Sequence, residues 1–214
     1  MQEKWCKNKM AIAKYKKRFF DVEIPLINKE TQLQAFEIEE LQGRFIKYDL
    51  SRLLRGKSMM LQTVIDVKEG LAVASPKQLY LIPNFLKRVV RKGSNYVEDS
   101  FSTETKDAIV RIKPFLVTRR KVSRAVRKAL RNKAKEELIS YLKSKDSEEV
   151  FTEILRNNLQ KQLSFKLKKI YPLSACEIKD FKIEKVLNST ETKKTKEKPA
   201  HETKEEAGIE TSKE

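Results

Sequence analysis

Apolar and polar residues alternate along FDVEIP, where Phe20, Val22 and Ile24 fall on one side and Asp21 and Glu23 on the other. The same period of two runs through LQTVIDV, which aligns Leu61, Thr63, Ile65 and Val67, and Lys68-Glu69-Gly70 offers a turn before LAVAS. In AIVRIKPFLV it aligns Val110, Ile112 and Leu116 against Arg111 and Lys113. These patterns predict antiparallel strands with one wet face between residues 20 and 117. Two helical interruptions are expected inside this region. One is short, around 35–41. The other is PNFLKRVVRKG, where Asn84 can cap, Phe85, Leu86, Val89 and Val90 form an apolar stripe, and Gly93 can end the turn.

After Thr118 the period changes to that of a helix. Val122, Ala125, Val126, Ala129 and Leu130 follow the i, i+3, i+4, i+7, i+8 rule and predict one core-facing stripe. A further helix is expected over 147–170, striped by Val150, Ile154, Leu155, Leu159, Leu163, Leu167 and Ile170. Ser147, Glu148 and Glu149 favour its start and Pro172 stops it. CEIKDFKIEKV then returns to an extended pattern. The expected fold is α+β: an antiparallel β-barrel-like sheet with a short inserted helix, two C-terminal helices and a final strand returning to the sheet. Whether the strands close is left open by the pattern. No internal repeat is present, and no apolar run approaches the roughly 18 residues that span a bilayer, which predicts a soluble chain with no membrane partner.

Composition adds the boundaries. The chain of 214 residues suits one domain with tails. Residues 1–18 mix basic residues with Trp5 and Tyr15 and read as an arm that either drapes over a partner or is pinned to the core through Trp5 and the adjoining Phe19. Residues 19–188 form the domain. Residues 189–214 hold six Lys, seven Glu and only three apolar residues, too few to offset the entropy of ordering, and are read as disordered. Cys6 and Cys176 lie far apart in a Lys-rich chain without a secretory leader, which points to reduced thiols in a cytosol.

The formal charge is +17, from 47 basic and 30 acidic residues. Such a chain repels itself, so a compact state calls for a polyanionic partner, and nucleic acid is the first suspect. Catalysis finds little support. The single histidine, His201, falls in the tail, so neither a Ser-His nor a Cys-His pair can be built on the domain. There is no phosphate-cradling glycine loop and no CxxC pair, and adjacent carboxylates such as Glu39-Glu40 diverge by about 100° on a helix. No cofactor, metal or small-molecule substrate is expected.

The stretch VTRRKVSRAVRKALRNKAKEE, residues 117–137, holds nine Lys or Arg and no acid before Glu136. A solvated helix face would intersperse Glu, because opposite charges four apart add roughly 0.2 to 0.5 kcal/mol and like charges subtract as much. Here Arg120-Arg124, Arg124-Arg127, Arg127-Arg131 and Lys128-Arg131 are like-charge neighbours. Arg forks onto phosphate better than Lys, which points to nucleic-acid contact. The expected RNA-binding residues are Arg119, Arg120, Lys121, Arg124, Arg127, Lys128 and Arg131. Lys87, Arg88, Arg91 and Lys92 of the inserted helix join them, as do Lys14, Lys16, Lys17 and Arg18 of the arm. No base-reading motif is present, so backbone and shape recognition is expected, as for structured RNA in a permanent assembly. A free RNA-binding or assembly-chaperone module would use the same faces. A metal-dependent nuclease using Asp66, Glu69 or Asp107 is the enzymatic alternative. Membrane-surface binding is disfavoured by a Val, Ala and Leu stripe without Trp or Phe.

GRFIKYDLSRL, the short basic helix, TETKDAIVRIKPFLVTRRKVSRAVRKALR and KIYPLSACEIKDFKI, in that order, resemble the archaeal and eukaryotic small-subunit ribosomal protein family eS-one, also called S-three-A-e. The likeness covers about residues 18–186. It implies a structural ribosomal protein, cytoplasmic, on the platform of the small subunit. It also implies contacts with central-domain and 3′-terminal rRNA near the mRNA exit, beside other platform proteins, with the basic helix as a principal contact. Residues 26–42 depart from the family pattern. The long basic N-terminal extension and most of the C-terminal region of eukaryotic members are missing, which favours an archaeal form.

Overall fold

The computed structural model describes residues 16–54, 56–68 and 70–187. The segments that alternate in polarity form strands of one mixed, open sheet. They are β1 (Arg18–Ile24), β2 (Lys29–Ala35), β3 (Phe45–Asp49), β4 (Met59–Lys68), β5 (Leu71–Leu81), β6 (Tyr96–Glu98), β7 (Phe101–Glu104), β8 (Ala108–Thr118) and β9 (Leu173–Val186). Helices are α1 (Pro83–Val89), α2 (Arg124–Leu142), α3 (Ser147–Arg156) and α4 (Asn158–Leu167). The expected α+β class, with its inserted helix, C-terminal helices and returning final strand, is present.

The alternation works as expected. Val22, Ile24, Leu61, Thr63, Ile65, Val110 and Ile112 are each fully buried, while Asp21, Glu23, Asp66 and Arg111 face water. Helices α3 and α4 cover the sheet, and Phe151 of α3 meets Phe181 of β9 edge-on with ring centres 4.9 Å apart, a geometry that adds about 0.5 to 1.5 kcal/mol beyond area burial.

Two long strands organise the sheet. β5 pairs with β4 along one edge; its other edge is shared by β1, parallel at Ala72 and Val73, and β9, antiparallel at residues 78–80. β8 pairs with β9 along one edge and shares the other between β7 at 109–112 and β6 at 115–117. Pro76 and Pro114 fall in the gaps of these divided edges, each beside a register shift on the opposite edge. A residue with no N–H to donate is tolerated in a central strand only at such a break.

Several expected details change. Asn84 does not cap α1: Ile82 precedes the helix, and Pro83 opens it because its missing N–H would have no helical partner there. The helix after Thr118 starts six residues later, at Arg124, because the Ser123 hydroxyl accepts the Val126 N–H and fixes the cap. Val122 is therefore outside the helix, and Ala125 and Ala129 face solvent; the core stripe is Leu130, Ala134, Leu138 and Leu142. The single helix expected over 147–170 is two, broken at Asn157 with φ 61° in the left-handed region. Its cap is Asp146, the helices end at Leu167 rather than near Pro172, and Ile170 is exposed. β8 is buried on both faces from Pro114 onward, so Phe115 and Val117 join the core. The 35–41 interruption is a 3-10 turn at Ile38–Leu41.

Candidate nucleic-acid interface

Strand direction decides where the cations gather. β5 and β8 each run antiparallel to β9, so they point the same way; Tyr80 and Lys113 both lie opposite Asp180, and β8 continues past that level to Thr118, opposite Leu173. β5 ends at Leu81 and leads into α1; β8 ends at Thr118 and leads into residues 119–123 and α2. The loop before β4 arrives at the same end, since Met59 pairs with Leu81. So does the segment before β9, since Leu173 pairs with Thr118. The two basic segments singled out in the sequence, 87–92 and 119–131, therefore leave the sheet toward the same end, and the chain after 87–92 returns to Thr118 at Asn95.

A small clasp holds them there. The Asn95 N–H donates to Thr118 Oγ1 at 3.0 Å, and the Asn95 carbonyl accepts from the Thr118 N–H at 2.8 Å and from its hydroxyl at 2.9 Å. The same hydroxyl lies 2.8 Å from the Arg120 carbonyl, and Asn95 Oδ1 accepts the Val122 N–H at 3.2 Å. Thr118 is fully buried, so these bonds tie the loop after α1 to the segment entering α2. The positive φ of Gly93, 87°, lets the chain turn toward that clasp.

Lys87, Arg88, Arg91, Lys92, Arg119, Arg120, Lys121, Arg124, Lys128 and Arg131 are all exposed, and Arg127 is half-buried. None of the ion pairs among the described residues uses any of them. Among the described residues, Arg88 alone of these makes a side-chain bond, a long one of 3.4 Å to Ser58. Arg127 Nε is enclosed with no acceptor among the described residues. α2 thus has two halves. In the first turns, cations stand three and four apart without acids; further on, Lys133 pairs with Glu136 and Glu137, and Glu137 with Lys166 at 2.6 Å. Those contacts hold the Glu137 carboxyl below its ordinary value, the Lys166 bond first. Arg119, Arg120 and Lys121 precede the helix, so the expected Arg120-Arg124 pair is not a helical one.

The arm is elsewhere. β1 runs parallel to β5 and begins before it, with Val22 opposite Ala72, so Arg18 lies at the far end of β5 from α1. The level of Ala72 alone is about 30 Å along the strand from Leu81 at the usual rise per residue, and Arg18 lies further out still. Lys16, Lys17 and Arg18 are exposed, with Lys17 5.6 Å from the Phe36 ring centre; Phe19 is 63% exposed and is not pinned in the core. Lys14 and Trp5 lie outside the described residues.

The structure adds cations that the sequence reading passed over. Arg52, Lys57, Lys161, Lys168 and Lys169 belong to the same end of the sheet or to the helix beside it. The signal was available in KLKK before KIYPL's strand. Lys57 differs from the others: it reaches Glu177 at 2.6 Å and also Asn157 Oδ1. Burial pushes the Glu177 carboxyl up, and Lys57 only partly opposes it. Among the described residues no three His, Cys, Asp or Glu side chains gather, and no helix is long and apolar enough to cross a membrane. Asp66 accepts a bond from Ser75 at 2.9 Å, and Glu69 lies outside the described residues.

The class these features define is a basic α+β domain with an open sheet, one end of which carries a run of cations, 119–131, that is free of acids as far as Glu136. Residues 7–186 match the ribosomal S3Ae family, and the chain belongs to that family. It is 25% identical to small ribosomal subunit protein eS1 of Nanoarchaeum equitans, over 79% of this chain and 89% of that protein. The corresponding proteins of Pyrobaculum arsenaticum and Pyrobaculum aerophilum are 29% and 30% identical over 71% of each chain.

Proposed function

We propose that the protein is a structural component of the small ribosomal subunit, acting in translation, and that the cationic end of its sheet grips rRNA phosphates. Membership of a ribosomal protein family supports the first part; the run of cations without acidic partners supports the second, and it is the observation that carries the interface. Arg119, Arg120 and Lys121 in the segment before the helix, followed by Arg124, Arg127, Lys128 and Arg131 on it, offer donors suited to a phosphate backbone rather than to base edges. The clasp at Asn95 and Thr118 sets the spacing before RNA arrives, so less ordering entropy opposes binding. Counterion release then gives a salt slope of about −0.7 to −0.9 per phosphate contact.

The finer placement is the platform, against central-domain and 3′-terminal rRNA near the mRNA exit, with other platform proteins as neighbours and the cytoplasmic ribosome as location. The arm, at the far end of β5, contacts a different strand of RNA or a neighbouring protein from that reached by α2. Residues 19–188 act as the rRNA-binding domain in this reading. Sucrose-gradient fractionation of cells carrying a tagged copy tests the assignment. The protein should sediment with mature small subunits; appearance on precursors alone would make it an assembly chaperone, and absence from both would end the ribosomal reading.

A further inference from the structure

A groove of about 550 Å³ runs between α4 and the first residues of β9, on the side of α4 turned away from its buried Leu159, Leu163 and Leu167. That volume lies within the roughly 300 to 1,000 Å³ of ordinary small-ligand clefts. Lys161, Ser164, Phe165 and Lys168 recur at helical spacing along one wall; Ser174 to Glu177 form the other, and Lys57 with Asn157 closes one end. Phe165 is 73% exposed. An aromatic ring left in water between two lysines is the pairing that single-stranded nucleic acid uses, with the base stacked on the ring and phosphates on the cations.

Two further observations point the same way. Glu177 is the one carboxylate in the lining, and it is tied to Lys57, so Lys161 and Lys168 face the groove without a competing acid there. Apart from Phe165, the apolar lining is Ala175 and Cys176 alone, too little to hold a protein side chain by burial.

We propose that this groove seats one unpaired nucleotide of an RNA, its base stacked on Phe165 and its flanking phosphates held by Lys161 and Lys168. The proposal rests on the RNA-binding reading above and adds to it a site that distinguishes a bulged or flipped nucleotide from continuous duplex. Fluorescence anisotropy of the full chain would be measured on a short RNA duplex and on the same duplex carrying one unpaired adenosine. The wild-type protein binds the bulged RNA more tightly. Phe165→Ala removes that preference, weakening bulged-RNA binding roughly 5- to 150-fold with duplex affinity unchanged. Phe165→Trp retains the preference, and Lys161→Gln with Lys168→Gln reduces it together with the salt slope. Equal affinity of wild-type and Phe165→Ala protein for the bulged RNA overturns the groove while leaving the phosphate-gripping face intact. If Phe165→Ala spares both RNAs but strips a neighbouring protein from purified subunits, the groove is a protein socket and the proposal falls. Failure of wild-type protein to bind either RNA overturns both readings.

Discussion

Thr118→Val tests the clasp that positions the two cationic segments. Valine keeps the shape of threonine and deletes the hydroxyl, which accepts the Asn95 N–H and lies within bonding distance of the Asn95 and Arg120 carbonyls. The Asn95 carbonyl keeps the Thr118 N–H, and the Arg120 carbonyl belongs to an exposed residue that water can reach. The loss therefore centres on the Asn95 N–H, left without its acceptor beside a fully buried side chain. An unsatisfied buried donor costs about 1 to 3 kcal/mol. Thr118→Ser keeps the hydroxyl and deletes one methyl, a change of about 0.8 kcal/mol. Urea unfolding of the three proteins should rank wild type above serine and serine above valine. RNA affinity of the valine variant should fall further than that of the serine variant, because residues 119–122 and 91–95 are then held together only by the Thr118 N–H and the Val122 N–H. Valine as stable as wild type, or more stable than serine, would refute the reasoning and make packing alone the role of Thr118.

Three other outcomes follow from the structure. Lys57→Met leaves Glu177 buried without its cation, so its carboxyl rises further; a folded-state value above the unfolded one means stability is lost as pH climbs through that window, and thermal unfolding should show a larger deficit at neutral than at mildly acidic pH. A deficit independent of pH would contradict it. Burial first, and then the Glu177 charge, pushes the Cys176 thiol up to about 12, so in a Cys6→Ser background iodoacetamide should label Cys176 only once the chain is unfolded; labelling at the rate of a free thiol would show the strand open. Asn157→Ala and Asn157→Gly both remove the oxygen that Lys57 reaches, but alanine must also hold φ near 61°, so it should be less stable than glycine by about 1 kcal/mol; equal stabilities would mean that the break between α3 and α4 has relaxed.

The sequence was most readable where one face of a strand meets the core. Val22, Ile24, Leu61, Ile65, Val110 and Ile112 alternate with polar residues because a wet face and a dry face lie two residues apart, and all six are buried. It was least readable where tertiary partners override local pattern. Leu155, Leu159 and Leu163 keep helical spacing across Asn157, so the stripe conceals a break that a left-handed asparagine makes without Gly or Pro. Ala125 and Ala129 satisfied the periodic rule yet face water, since alanine in a helix reports propensity as much as burial. Pro114 argues against a central strand until the divided outer edge of β8 is known. For the site, residue type was legible and grouping was not. Segments 87–92 and 119–131 fall at one end of the sheet because β9, distant in sequence, lies between β5 and β8 and sets their common direction, and because Asn95 bonds Thr118. The arm carries the same charge and sits at the other end.

RNA crosslinking in the protein's own cells, with sequencing of the RNA and mapping of the crosslinked peptides, tests the central claim most directly. The account predicts crosslinks concentrated in small-subunit rRNA and carried by peptides within 87–92 and 119–131. Crosslinks scattered over many RNAs, or small-subunit crosslinks that avoid those two segments, would contradict it.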